Sequence, residues 1–175
     1  MGNYFGSKAT SGLYQAIISI MPPHETYIET HLGGGAIMKR KPESLKSIGI
    51  DKDSRALNEF TCSYPVDLIN GCAHEFLRRY DYTGRELIYS DPPYLASTRT
   101  SDRNYRFEYT DELHIELLEL LKTLPCHIIL SGYPSLLTGY IGLVLQEKIL
   151  LIDSALNARQ RDGKETIQPC LKLKE

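Results

Sequence analysis

The 175-residue chain has no tryptophan, only four cysteines, and no apolar run that approaches the roughly eighteen residues of a membrane span. Cys62, Cys72, Cys126 and Cys170 show neither the paired spacing of a metal site nor a disulfide framework, so plain thiols in a reducing cytoplasm are expected. The polar opening Met1-Gly2-Asn3-Tyr4 does not read as a secretory leader. Ser7 stands one place too late for an acylation signal at Gly2. A charge excess of one sign is also missing: 20 Lys and Arg against 22 Asp and Glu give a formal net charge of −2. Any contact with nucleic acid must therefore rest on local basic surface. His24, His74, His114 and His127 are scattered without ligand spacing, and no metal is expected. The length suits one well-buried core and is short for two ordinary domains, so 1–175 reads as a single domain with no repeat or linker.

What is present is concentrated in a few short strings. Asp91-Pro92-Pro93-Tyr94 follows the apolar run Leu87-Ile88-Tyr89. Two prolines fix φ and offer no N–H, so the turn presents Asp91 and the Pro92 carbonyl as acceptors aimed at one point. Tyr94 adds an aromatic face. Together these groups suit an exocyclic amine on a flat ring, although Asp and Pro are also ordinary turn residues.

Upstream, Tyr27-Ile28-Glu29-Thr30-His31-Leu32-Gly33-Gly34-Gly35-Ala36 reads as a strand, an acidic strand end, a glycine-rich turn and the start of a helix. Glycines there let the backbone approach a ligand closely, and a helix amino terminus offers free N–H groups. A dinucleotide fingerprint requires a small residue where Met38 stands, and a phosphate-binding lysine is missing, so both of those classes are excluded. Ser47 to Asp51 is a second strand ending in an acid, sixteen residues beyond Gly35. Val66 to Asn70 is a third, and the fourth ends at Asp91. In a doubly wound sheet, ligands bind outside the carboxyl ends of the strands, which is where Glu29, Asp51, Asn70 and Asp91 are expected.

With these strings in this order, the chain resembles the adenine-N6 DNA methyltransferases of the Dam type over nearly its whole length. The resemblance implies a Rossmann-like methyltransferase fold and S-adenosyl-L-methionine as cofactor. Tyr4-Phe5-Gly6-Ser7-Lys8 is similar to the family's amino-terminal cofactor motif, which implies cofactor roles for Tyr4 and Lys8. Glu29 to Gly35 is similar to the glycine motif, with Glu29, His31, Gly33, Gly34 and Gly35 beside the cofactor. Ile48 to Asp51 is similar to the ribose motif, and Asn70 and Asp91 complete the implied cofactor set. Asp91 to Tyr94 matches the catalytic tetrapeptide, so Asp91, Pro92, Pro93 and Tyr94 are the implied catalytic residues. Double-stranded DNA is the implied partner, with its target base flipped out. An RNA adenine methyltransferase would use the same tetrapeptide, and a binding protein with little turnover is a third reading.

The chain departs from the family pattern in three places. Thr30-His31 stands where Pro-Phe is common, and His31 is expected to serve the loop structurally. Cys72 stands where an aspartate often contacts the cofactor's adenine. Only twenty residues separate Asn70 from Asp91, leaving no room for a helical target-recognition domain.

Directly after the tetrapeptide, Arg99, Arg103 and Arg106 alternate with Tyr105, Phe107 and Tyr109. Arginines for phosphate and aromatics for unstacked bases make Arg99, Arg103, Tyr105 and Arg106 a candidate substrate loop. The alternative is a solvated surface loop. Asp53 to Phe60 and Ala73 to Tyr80 read as crossover helices. Thr110 to Leu121 reads as a stronger helix capped by Thr110, with Leu113, Leu117, Leu120 and Leu121 on one face. Cys126 to Leu130 is a strand, followed by Tyr133 near the rim of the site. Leu143 to Leu151 and Thr166 to Leu173 read as an antiparallel pair joined by the basic tip Arg159 to Lys164. The expected fold class is thus α/β, mostly parallel and doubly wound, with an antiparallel carboxyl-terminal strand pair.

Overall fold

The computed structural model describes residues 12–93, 109–132 and 149–153. Among these, six strands form one sheet: β1 (Thr26–Glu29), β2 (Lys46–Asp51), β3 (Asp67–Asn70), β4 (Glu86–Ser90), β5 (His127–Gly132) and β6 (Ile149–Asp153). Their order is β3-β2-β1-β4-β5-β6, and each neighbouring pair runs parallel. The helices are α1 (Leu13–Ser19), α2 (Ser54–Glu59), α3 (Ala73–Arg79) and α4 (Asp111–Thr123).

Strands covered on both faces read as continuous apolar runs, which is why Leu87-Ile88-Tyr89 is buried throughout. Successive side chains point to opposite faces and so divide between two cores. Tyr27, Leu87, Tyr89 and Ile129 pack with Leu13 and Ile17 of α1, Leu57 of α2, and Leu32, Ile37 and Met38. Ile28, Ile48, Ile50, Ile88, Ile128 and Leu130 pack with Leu77 of α3 and with Leu117 and Leu121 of α4. Helices therefore cover both faces, and the expected parallel, doubly wound α/β sheet is present.

Local signals account for the helix boundaries. Asp53 caps α2 by accepting from Arg55 N at 3.1 Å, and Thr110 caps α4 by accepting from Leu113 N at 3.3 Å. Asp111 and Glu112 in the first turn of α4 and Lys122 in its last turn suit the helix dipole. Leu117 and Leu121, four residues apart, form its buried stripe. Pro125 lies just beyond the end of α4 and before β5.

Two features differ from the sequence reading. The described sheet has no antiparallel pair. Of the run expected as a strand over Leu143 to Leu151, the described residues belong to β6, which spans Ile149–Asp153 and joins β5 in parallel, with Ile128 opposite Ile149 and Gly132 opposite Asp153. Ile149-Leu150-Leu151-Ile152 is an unbroken apolar run of the kind parallel sheets use. The interval 133–148 also exceeds the roughly dozen residues that a parallel crossover needs. Arg159 to Lys164 and Thr166 to Leu173 lie outside the described residues.

The second difference follows the glycines, where residues 36–40 form turns instead of a helix. Lys39 N donates to the Gly35 carbonyl, and Arg40 N and Lys41 N donate to that of Ile37, each at 3.0 Å. Pro42 disfavours the helical conformation at Lys41, so barely one turn forms before propagation stops.

Candidate functional site

The chain leaves β1 toward β2 on one side and β4 toward β5 on the other, so a crevice opens above the carboxyl ends of these two central strands. Glu29 ends β1, Asp51 ends β2, Asn70 ends β3, and Asp91 directly follows Ser90 at the end of β4. The sheet thus brings the four strand-end residues to one edge, as their spacing suggested. Asp91 and Pro93 are partly exposed and Pro92 is buried. Thr30 bridges the two central strands: its N–H donates to the Tyr89 carbonyl at 3.1 Å, and its hydroxyl lies 3.1 Å from that of Ser90. Thr30 Oγ1 is also 2.9 Å from Nδ1 of His31.

The glycine turn is clamped by carboxyl groups at both ends. Asp51 Oδ2 accepts from Gly33 N at 2.7 Å, while its Oδ1 accepts from Asp53 N at 2.8 Å. Glu29 Oε2 accepts from Met38 N and from the Tyr27 hydroxyl, each at 3.0 Å. Gly33 and Gly35 have φ of 49° and 61°, in the region that side chains disfavour, whereas Gly34 between them does not. A Cβ on Gly35 would also clash with the ring of Phe60.

Burial raises both carboxyl groups above their ordinary values. Desolvation pushes Glu29 up to about 8, reinforced by the nearby Asp91 charge and opposed by the Tyr27 and Met38 hydrogen bonds and by Lys41. At 3 % exposure and with these internal partners, Glu29 holds the loop from beneath. Desolvation also raises Asp51, against the backbone N–H groups of Asp53 and Gly33. The sequence reading missed Lys41, which is buried over the Tyr27 ring at 4.5 Å. Its ammonium donates to the Pro42 carbonyl at 2.6 Å and to Ser44 Oγ at 2.8 Å. Burial lowers Lys41 to about 8.

Asn70 is exposed, and its Nδ2 donates to the carbonyls of Asp51 and Lys52 at 3.0 and 3.1 Å, fixing the turn after β2. Cys72 is the residue preceding α3, with Sγ 3.8 Å from Nδ1 of His74.

A cluster of rings that sequence spacing did not suggest lies beside these residues. Tyr109 stacks on His74 with centroids 5.8 Å apart. It also meets His31 and His114 edge-on at 5.6 and 4.6 Å. His74 Nε2 lies 3.1 Å from the Leu113 carbonyl and 3.2 Å from the Tyr109 hydroxyl. Burial, with the charges of His74, His114 and Lys52, depresses His31 to about 3, so its ring is neutral near pH 7. A hint was available in the sequence, because the Thr110 cap starts α4 one residue after Tyr109, and α4 runs from the carboxyl edge of the sheet.

Tyr4, Lys8, Tyr94, Arg99, Arg103, Tyr105, Arg106 and Tyr133 lie outside the described residues. Among the described residues, no group of three His, Cys, Asp or Glu is arranged to hold a metal ion. No described helix is long and apolar enough to cross a membrane. Comparison with protein-family models and with curated proteins gives no match. Chemically, the edge offers a partly exposed carboxylate beside two prolines, a second carboxylate at the end of β2, and a glycine turn between them.

Proposed function

We propose that the chain is an S-adenosylmethionine-dependent methyltransferase acting on adenine N6 of double-stranded DNA, with a Rossmann-like methyltransferase fold. The observation that carries the reading is the position of Asp91-Pro92-Pro93 at the end of β4, across the central crevice from the clamped glycine turn of β1. The residues present suit the cofactor. Each Asp51 oxygen accepts one backbone N–H and keeps capacity for a ribose hydroxyl, and Gly33 and Gly34 present no side chain toward an incoming ligand.

Bound cofactor supplies an electrophilic methyl group. An adenine amine is a poor nucleophile because its lone pair is delocalised into the ring. Asp91 and the Pro92 carbonyl would accept hydrogen bonds from its two N–H groups and draw the nitrogen toward tetrahedral geometry; the proton shed as the N–C bond forms would pass to the Asp91 carboxylate, and the spent cofactor would leave as a neutral thioether. Tyr94 stacks on the base, which leaves the duplex to reach the crevice. Holding amine and methyl donor in line supplies much of the acceleration. Asp91→Ala is expected to abolish transfer of labelled methyl groups to DNA. Substantial residual transfer by the purified variant contradicts the role given to Asp91.

A further inference from the structure

The parallel register of β1 and β4 closes with Glu29 opposite Tyr89. Just beyond it the two segments part: Leu32 N donates to the Ile50 carbonyl of β2 at 2.9 Å, while the chain leaving β4 at Ser90 continues into Asp91. Thr30 stands at that fork. Its N–H donates to the Tyr89 carbonyl at 3.1 Å, and its hydroxyl donates to Ser90 Oγ, also at 3.1 Å. With its proton directed to Ser90, Thr30 Oγ1 accepts from the Nδ1–H of His31, 2.9 Å away. Thr30 and Ser90 are 1 % and 0 % exposed, so water does not replace these bonds, and each lost partner leaves a desolvated polar group. A proline at position 30, common in the family that the chain resembles, has neither an N–H nor a hydroxyl and could make none of them. The tie is therefore this chain's own.

We propose that Thr30 is a positioning residue for methyl transfer, tying the strand end that leads into the glycine turn to the strand end that carries Asp91. The proposal rests on the methyltransferase reading. Two prolines follow Asp91, and their fixed φ makes the segment stiff, so its orientation is set where it leaves β4, at Ser90. Thr30 holds Ser90 on one side and leads into the glycine turn on the other. Placement of the Asp91 carboxylate and the Pro92 carbonyl relative to the methyl donor thus passes through one buried hydroxyl pair. Misplacing a reacting group by about 1 Å can slow an in-line transfer about a hundredfold, so a tie that touches neither reactant still acts on the rate. Its loss falls on the rate of transfer more than on affinity for the cofactor.

Thr30→Val keeps the shape and the backbone N–H and removes the hydroxyl, whereas Thr30→Ser keeps both donors. Combining Thr30→Val with Ser90→Ala removes the two hydroxyls together, which leaves neither of them buried without its partner and limits the cost to folding. Single-turnover transfer of labelled methyl groups from S-adenosylmethionine to unmethylated DNA is measured for wild type, the three single variants and the double variant. Calorimetry gives the affinity of each for S-adenosylhomocysteine. The expected result is a rate about tenfold lower in Thr30→Val, in Ser90→Ala and in the double variant alike, because each breaks the same tie. Thr30→Ser is expected to transfer at close to the wild-type rate, and affinity for S-adenosylhomocysteine to change by less than the rate does in every variant. A wild-type rate in the double variant, or a loss of affinity as large as the loss of rate, overturns the positioning role and leaves the methyltransferase reading intact. Wild type that transfers no methyl group to DNA overturns that reading, and the role of Thr30 with it.

Discussion

Glu29 shows how a residue that looks like a ligand contact in the sequence becomes part of the scaffold once its partners are known. Its position at the end of a strand was legible because an acid follows an apolar pair there. Its engagement with Tyr27 and Met38 was not, because the second partner reaches it only through the turn of the chain after the glycines. Burial raises its folded-state value from 4.5 to about 8, so its contribution to stability is fully present below about 4.5 and is lost as pH rises through about 8. His31 acts in the opposite sense. Its depressed value gives a contribution that is lost as pH falls from about 6.5 through about 3. Lys41, lowered from 10.5 to about 8, makes a contribution that is fully present above about 10.5 and is lost as pH falls through about 8. Glu29→Gln keeps the acceptor and removes the titration. The variant is therefore expected to lose less stability than wild type between pH 5 and 8 in thermal melts recorded across that range. Parallel pH profiles for the two proteins contradict the buried-acid assignment.

At the scale of elements, the strands and α2, α3 and α4 were legible because short apolar runs and side-chain caps announce them within a few residues. The glycine turn was misread as a helix start, because the effect of Pro42 is felt at Lys41 and cuts short the helical bonds begun at Gly35. The antiparallel pairing expected of the last apolar run is not among the described pairs: β6 joins β5 in parallel, and an apolar run is the same read either way, so only its pairing decides. The cluster of His31, His74, Tyr109 and His114 has no periodicity, since β1, α3 and α4 each bring part of it to one edge. The glycine turn makes its own prediction. Gly33→Ala meets only the unfavourable left-handed backbone, with open space around its Cβ, and is expected to cost about 1 kcal/mol. Gly35→Ala adds the clash with Phe60 to the same strain and is expected to cost more. Chemical denaturation of both variants checks the order, and equal losses contradict the packing assigned to Gly35.

For the molecule as a whole, order and spacing of four strand-end residues were enough to anticipate a doubly wound sheet that gathers them at its carboxyl edge. Composition was less informative: a net charge of −2 carries no nucleic-acid signature, and the proposed DNA contact rests on the local run containing Arg99, Arg103 and Arg106. Replacing these three arginines together is expected to weaken DNA binding and to flatten its dependence on salt. Titrations across a salt series check this, and an unchanged slope and affinity remove that run from the DNA contact.

The central claim is the transfer of a methyl group to adenine N6 in DNA. Its most direct test incubates the purified chain with labelled S-adenosylmethionine and either unmethylated genomic DNA or total RNA, with the product nucleosides identified by mass. The account predicts labelled N6-methyladenine in the DNA. Label confined to RNA, or no label in either, contradicts it.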